Sequence, residues 1–357
     1  MTIQNRRPLH FPTIVISDFH LGKEVAMTAH LLEFLENTSC EKLILNGDII
    51  DGWEIMARKH KKFDEMTLRV IDAINKKAAT GTQVTYVSGN HDEKLRGAWS
   101  TKHNEPRHLN DNKPSRIPFQ NKIYTFTSAQ NRALQSQIKI KGGMTYKAPD
   151  GRKFLCVHGD QFDEAMRNKR IKHWAEIVDP AYDALIKADR RLNTSIASWA
   201  KRKAKGLVEC FETAVKTAVN KGSIDGIICG HSHDSKILQE KSYAFLNSGD
   251  WVESATALAH DEKGSWQKIE WLKLREQMAL GDLPSVQDKN PNAEYRSITQ
   301  RQVKWIQRIW PAKNYDKKQE KLSKLRDQCF GPAASNTTIN DALVAKYEKK
   351  RQELKPF

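Results

Sequence analysis

Three short β-rich runs separated by helix-like stretches constrain this chain more than any other feature. Residues 12–17 (Pro-Thr-Ile-Val-Ile-Ser), 42–46 and 83–88 are aliphatic and β-branched, which predicts a β-α-β-α-β order. That order demands a parallel sheet, because consecutive parallel strands need a long crossover and a helix is the usual one. In open α/β sheets, ligands collect where the carboxyl ends of strands run into loops. The residues to weigh first are therefore the polar ones just past each run: Asp18-Phe19-His20, Gly47-Asp48 and Gly89-Asn90-His91-Asp92.

Further along, the polar stretch from residue 97 to 119 reads as an irregular loop, with His103 and His108 as solvated residues. Residues 138–146, a Pro149-Asp150-Gly151 turn and a strand over 153–157 predict a hairpin that ends at His158. Helical periodicity takes over in residues 161–222, where Trp174, Val178, Tyr182, Leu185 and Ile186 recur at three to four positions. Asp179 and Pro180 suit the cap and first position of a new helix there. Strands return at 226–229, 236–238, 243–246 and 256–259, and the domain is expected to close near Leu274. The organisation expected is one domain over 1–274, carrying a helical lid at 161–222, and a basic C-terminal extension over 275–357.

In that extension Ser297 is placed to cap a helix with Val303, Ile306 and Trp310 along one side and Arg301, Lys304 and Arg308 on other faces. Trp305 and Ile309 widen the apolar surface, and Pro311 ends it. Two readings stay open: a helix lying at an anionic lipid surface, or one docked on the catalytic domain.

The charge balance bears on partners. The 357 residues carry 59 Lys and Arg against 43 Asp and Glu, a formal +16, which draws the chain toward polyanions or anionic membrane surfaces. Five scattered cysteines, none in a C-x-x-C pair, argue against a disulfide framework or a thiolate metal site and suit a reducing cytoplasm. No apolar run approaches the roughly 20 residues that cross a bilayer, so any membrane contact is expected to be peripheral.

Two later segments add to the polar set at strand ends: His158-Gly159-Asp160 and Gly230-His231-Ser232-His233. Each alone has an ordinary explanation as a helix cap, a turn or a satisfied core histidine. Together they supply carboxylate, imidazole and amide oxygen, a donor set for divalent manganese, iron or zinc. His231 and His233, two positions apart, can reach different ions, and Asp48 can bridge them.

In their order, D-x-H, G-D, G-N-H-D, H and G-H-x-H, these segments resemble the calcineurin-like metallophosphoesterase superfamily over roughly residues 12–274. The resemblance implies an α/β fold, an α/β/β/α sandwich, here with a helical insertion and a basic, partly helical C-terminal tail. It implies two divalent ions, manganese first, with iron or zinc as options. Asp18, His20 and His233 would hold one ion and Asn90, His158 and His231 the other, with Asp48 between them. Two such ions polarise phosphoryl oxygens and lower the pKa of a shared water, so hydrolysis needs no phosphoenzyme. His91 would protonate the leaving oxygen and Asp92 would orient it. Asp160 would act from behind a ligand or cap the next helix.

Residues 47–53 (Gly-Asp-Ile-Ile-Asp-Gly-Trp) and 247–254 (Asn-Ser-Gly-Asp-Trp-Val-Glu-Ser) resemble the UDP-2,3-diacylglucosamine pyrophosphatase group of Gram-negative bacteria. So do residues 158–163 and the insertion before Gly230. That likeness implies a cytoplasmic enzyme of lipid A synthesis, releasing UMP and a sugar 1-phosphate from a nucleotide-linked lipid, with the inner-membrane surface as a candidate partner. The chain departs from that group in carrying His91 where its members carry arginine, and in its longer insertion and tail. A broader phosphodiesterase or a nuclease acting on nucleotides or nucleic acid is the alternative, although no nucleic-acid-binding module is recognisable. A non-catalytic docking protein is disfavoured by the complete ligand set.

Overall fold

The computed structural model describes residues 7–57, 63–93, 95, 138–160, 186, 224–240, 243–261 and 263–309. The polar loop after residue 96, nearly all of the lid segment 161–222 and the tail beyond residue 309 lie outside the described residues.

The N-terminal β-α-β-α-β order is present. Strand β1 (Leu9–Ile16) is followed by helix α1 (Thr28–Asn37), β2 (Thr38–Asn46), a short helix α2 (Gly52–Ala57), α3 (Glu65–Ala79) and β3 (Gln83–Val87). Helix α3 shows the local logic clearly. Asp64 caps it by accepting from the Thr67 amide at 2.7 Å, Glu65 lies in its first turn, and Lys76 and Lys77 lie in its last. Each charge therefore complements the helix dipole. Strand β2 starts at Thr38, earlier than expected, because no loop separates it from α1.

β4 (Lys139–Lys141), β5 (Met144–Lys147), β6 (Lys153–Cys156), β7 (Gly226–Cys229), β8 (Lys236–Gln239), β9 (Ala244–Asn247), β10 (Thr256–His260) and β11 (Trp266–Glu270) complete two sheets. The first has the order β11-β10-β1-β2-β3-β4 and the second β5-β6-β7-β9-β8. The run 138–146 is thus divided rather than one hairpin arm. Its first part pairs parallel with β3, its second part pairs antiparallel with β6, and Gly142 and Gly143 make the crossing between sheets. Strand β11 was not foreseen; its buried residues Trp266 and Ile269 are three apart and enter opposite cores, so no period-two pattern marks it, and it pairs at an edge with β10.

Side-chain alternation explains why two sheets stack. Val15 and Ile44 point from the first sheet into one cluster with Phe154, Cys156, Ile228 and Leu246 of the second. Their neighbours Ile14, Ile16, Leu43 and Leu45 point the other way, into a core shared with Leu31, Phe34, Val70 and Ile74 of α1 and α3. The outer face of the second sheet is also buried, through Leu155, Val157, Ile227, Cys229 and Phe245. Strands buried on both faces are the mark of a layered α/β protein, so the α/β class expected from the sequence is the one observed.

Helix α4 (Trp271–Gln277), a 3-10 turn (Ala293–Tyr295) and helix α5 (Arg296–Ile309) follow β11. The turn runs directly into α5, so Ser297 sits inside its first turn instead of capping it. Val303 and Ile306 are buried in the core of the first sheet, with Trp305 packed at its edge. Arg296 bonds both Glu65 oxygens at 2.7 and 2.8 Å and the buried Asp72 at 2.8 Å. Asn75 and Gln302 exchange amide hydrogen bonds at 2.9 and 3.0 Å. At Val303 and Ile306 the apolar side of α5 is therefore covered by protein. No described helix is long and apolar enough to cross a membrane.

Truncating Ile306 should empty a site in this shared core. Ile306→Ala is expected to cost about 2–4 kcal/mol in a urea titration of the full-length chain. A helix resting on solvent would lose less than about 0.5 kcal/mol.

Candidate metal centre

Every residue singled out from the strand-end motifs lies at one end of the two sheets. β1, β2, β3, β6 and β7 deliver Asp18, Asp48, Asn90, His158 and His231 just past their last residues. Register brings the ends level: Ile16 lies beside Leu45, Asn46 beside Val87, and Cys156 beside Ile228. Asp18, His20, Asp48, Asn90, His91, Asp92 and His158 are buried, while His231 and His233 are partly open to solvent. Among the described residues the pocket is therefore open at His231 and His233.

Three clusters have donor atoms within 4.8 Å of one another: Asp18, His20 and His233; Asp48, His158 and His231; and His20, Asp48 and His91. The first holds the three residues expected on one ion; the second joins His158 and His231, expected on the other, to Asp48. His233 Nε2 is 3.2 Å from Asp18 Oδ1 and 3.4 Å from His20 Nε2. Asp48 Oδ2 lies 3.1 Å from His158 Nε2 and 3.9 Å from His20 Nε2, between the two sets. Its other oxygen accepts from the His91 amide at 2.8 Å.

Backbone geometry follows from this crowding. Asp18, His20, Asp48, His231 and His233 all have φ between 48 and 65°, a left-handed conformation that costs a non-glycine residue about 1–2 kcal/mol. Hydrogen bonds across the loops hold it: Asp18 N to Gly47 O at 3.0 Å, His20 N to Asp48 O at 2.9 Å and His231 N to Asp18 Oδ2 at 3.1 Å. At Gly89 a side chain would collide with Asp48 Oδ1 and the His158 ring, so the loop before Asn90 can come this close only without one.

Electrostatics make the pocket a cation trap. Burial opposes charge on Asp18, yet the His233 and His158 rings outweigh it and lower this carboxyl to about 2. Asp48 is held well below its ordinary range in the same way, against burial, by His158 and His91. Burial disfavours protonated His158, but Asp48 and Asp18 push it up to about 10. Two carboxylates facing a fully buried imidazole favour positive charge at this point, and a divalent cation would supply it with the ring neutral.

The donor chemistry fits such ions. Asn90 Oδ1 is buried without a hydrogen-bond partner among the described residues, and His158 Nε2 faces Asp48 Oδ2 at 3.1 Å. His158 Nδ1 faces Asn46 O at 3.0 Å and His20 Nδ1 faces Asp51 Oδ2 at 3.0 Å. Both rings therefore turn Nε2 toward the centre, as histidine ligands do when their other nitrogen is tied to an oxygen.

Asp92, expected to orient His91, does not face its ring; Asp51 does. His91 Nδ1 is 2.8 Å from Asp51 Oδ2. Asp92 is spent on the amides of Ile49 and Gly89 and the Tyr86 hydroxyl, the latter two at 2.5 Å. Its burial and the nearby Asp48 raise it to about 6. Sequence reasoning passed over Asp51, although it stands three residues after Asp48 in the same strand-end segment. Asp51 is buried and held well below the ordinary carboxylate range, against burial, by His91 and Lys23.

Several solved structures match the chain at low sequence identity and low TM-score. An archaeal phosphodiesterase is 12% identical, with 72% of this chain and 98% of that chain covered and a TM-score of 0.35. Vacuolar protein sorting 29 from Cryptosporidium parvum is 11% identical, over 72% and 94%, at 0.29. A phosphopantetheinyl hydrolase from Mycobacterium tuberculosis is 12% identical, over 69% and 91%, at 0.27. No curated protein matches the chain. Residues 11–235, more than half of the chain, match the calcineurin-like phosphoesterase family, and the chain belongs to it, with the metal-dependent phosphoester hydrolysis that this family implies.

Proposed function

We propose that the chain is a hydrolase using two divalent ions, with a phosphoanhydride in a nucleotide-linked lipid as its substrate. The observation that carries the two-ion reading is the position of Asp48 Oδ2, within 3.9 Å of a nitrogen from each of the two ligand clusters. Asp18, His20 and His233 would hold one ion; Asn90, His158 and His231 the other; Asp48 would touch both. When bound, such ions supply Lewis acidity at the phosphoryl group and a water of lowered pKa.

His91 is the acid in this reading. His91 Nδ1 faces Asp51 Oδ2 at 2.8 Å, and Nε2 would carry the proton to the leaving oxygen. The T-shaped contact with His20, at 4.5 Å between ring centroids, holds the plane of the His91 ring. Manganese is the ion we favour from the oxygen and imidazole donors.

The substrate reading rests on the segments 47–53 and 247–254 and on the lid. Ile186, a described residue of the lid, packs against Val25 and Val252. Val252 follows Trp251, whose amide bonds Asp18 O at 3.0 Å. Ile186 is thus one residue of the insertion next to the Trp251 segment, and acyl chains bound on that side would add contacts remote from the reacting phosphorus. A nucleotide sugar lipid such as UDP-diacylglucosamine fits that arrangement, and an anionic membrane surface would then supply it.

Two outcomes test these proposals. Asp48→Ala should lose bound metal together with activity, whereas His91→Ala should retain its metal, counted by mass spectrometry, and lose turnover by about 100- to 10,000-fold. Equal metal loss in both variants would make His91 a ligand. In a manganese-supplemented screen, UDP-diacylglucosamine should have a far higher kcat/KM than UDP-sugars without acyl chains, since each buried methylene contributes about 0.8 kcal/mol. Equal rates, or cleavage confined to cyclic nucleotides or single-stranded DNA, would reject the lipid substrate.

A further inference from the structure

The segment after β9 bears on the metal centre although none of its side chains belongs to either ligand cluster. Asn247, the last residue of β9, is fully buried and lies beside Cys229 in register. That pairing sets its side chain against the next loop, Gly230-His231-Ser232-His233. Its Nδ2 donates to Gly230 O at 2.8 Å and to Ser232 Oγ at 2.9 Å, and its Oδ1 accepts from the Gly249 amide at 2.8 Å. Both amide hydrogens and the carbonyl are thereby used.

The loop it grips is strained. His231 and His233 have φ of 65 and 55°, and Ser232 N closes a tight turn onto Gly230 O at 2.7 Å. This alternation sends His231 toward Asp48 and His158 and His233 toward Asp18 and His20. Relaxing either left-handed residue would swing one imidazole out of its cluster. The loop's other side is pressed on the first strand: at Gly230 a side chain would collide with Asp18 Oδ2 and Ser17 Oγ. Ser17 Oγ in turn lies 2.6 Å from Ser248 Oγ. The turn is therefore held between the end of β1 and the end of β9, and Asn247 contacts it on both sides of His231.

We propose that Asn247 is a positioning residue for metal binding: by clamping Gly230 and Ser232 it fixes the turn that aims His231 and His233 at different ions. The inference rests on the ligand assignment proposed above. Ser232 shares in the clamp as the acceptor of one of the two Nδ2 hydrogen bonds.

The test is Mn2+ titration calorimetry on the full-length chain after chelator treatment, with circular dichroism and melting of the metal-free protein in parallel. Asn247→Ala should keep the fold and weaken Mn2+ binding by about 10- to 100-fold, the usual loss when an orienting partner of a metal ligand is removed. Ser232→Ala should weaken it by a smaller factor, about threefold, and the double variant should bind no worse than Asn247→Ala, because both act through one contact. Binding within twofold of wild type in folded Asn247→Ala, even with a lowered melting temperature, would show a purely structural residue and overturn the proposal. If Asn247→Ala does not fold, Ser232→Ala decides by the same measure: threefold weaker binding supports the clamp and wild-type binding overturns it. His231→Ala separates the two levels. Loss of Mn2+ there with none in Asn247→Ala overturns the clamp alone, whereas unchanged binding in His231→Ala overturns the ligand assignment and the clamp with it.

Discussion

A buried, ionised Asp48 is the constraint around which the rest of the structure is arranged. Taking a lone carboxylate out of water is so unfavourable that the group ordinarily neutralises. Here the site keeps the charge. The His91 amide donates to one oxygen, and the His158 and His20 rings approach the other. Each of those groups comes from a different strand end, so satisfying one carboxylate requires β1, β2, β3 and β6 to finish at the same level. Parallel pairing in each sheet delivers that alignment, and the stacking of the two sheets through Val15, Ile44, Phe154 and Ile228 brings the ends together.

The same crowding explains the backbone. Loops that must turn donor atoms inward within a residue or two of a strand end have no room for a gradual bend, and a left-handed residue reverses the chain in one step. Side chains with oxygen or imidazole donors occupy those steps because the site needs their donors there. The cost is met by hydrogen bonds between loops, among them Trp251 N to Asp18 O and Asp51 N to Leu21 O, both 3.0 Å. Strain of this kind, held by surrounding structure, is characteristic of ligand clamps. The segment Asn247-Ser248-Gly249-Asp250-Trp251 is where much of that holding is done. Asp250 accepts from the amides of Val252 at 2.7 Å and of Glu253, and from the Ser254 hydroxyl at 2.7 Å, which makes the segment a rigid brace.

How much was legible beforehand depended on how local each signal was. The donors Asp18, His20, Asp48, Asn90, His158, His231 and His233 announce themselves by type and by their place after a β-rich run, and the structure brings their side chains to one end of the sheets. Asp51 was hidden because nothing in a linear pattern says which carboxylate meets which imidazole: Asp92 is adjacent to His91 in sequence, yet its oxygens face Ile49, Gly89 and Tyr86. Neighbours along a turn diverge in direction, while a residue from the next strand end can converge. The split of β4 from β5 was hidden for a related reason. The run 138–146 looks like one strand, and only the pairing partners on each side of Gly142 and Gly143 divide it.

Helix α5 shows where periodicity stops being informative. An apolar stripe with basic flanks suits a lipid surface and a protein surface equally, since both reward the burial of Val303 and Ile306. What separates them is the polar residues on the same side. A bilayer interior offers no partner to Arg296, Thr299 and Gln302, whereas α3 presents Glu65, Asp72 and Asn75 in matching positions. Asp72 in particular is fully buried. Its charge would lack a guanidinium if α5 left, so undocking the helix would expose apolar surface and strand a carboxylate together. These contacts join α5 to α3, and α3 packs behind the strands β2 and β3 that carry Asp48 and Asn90. α5 thus packs on the same layer that backs the metal centre.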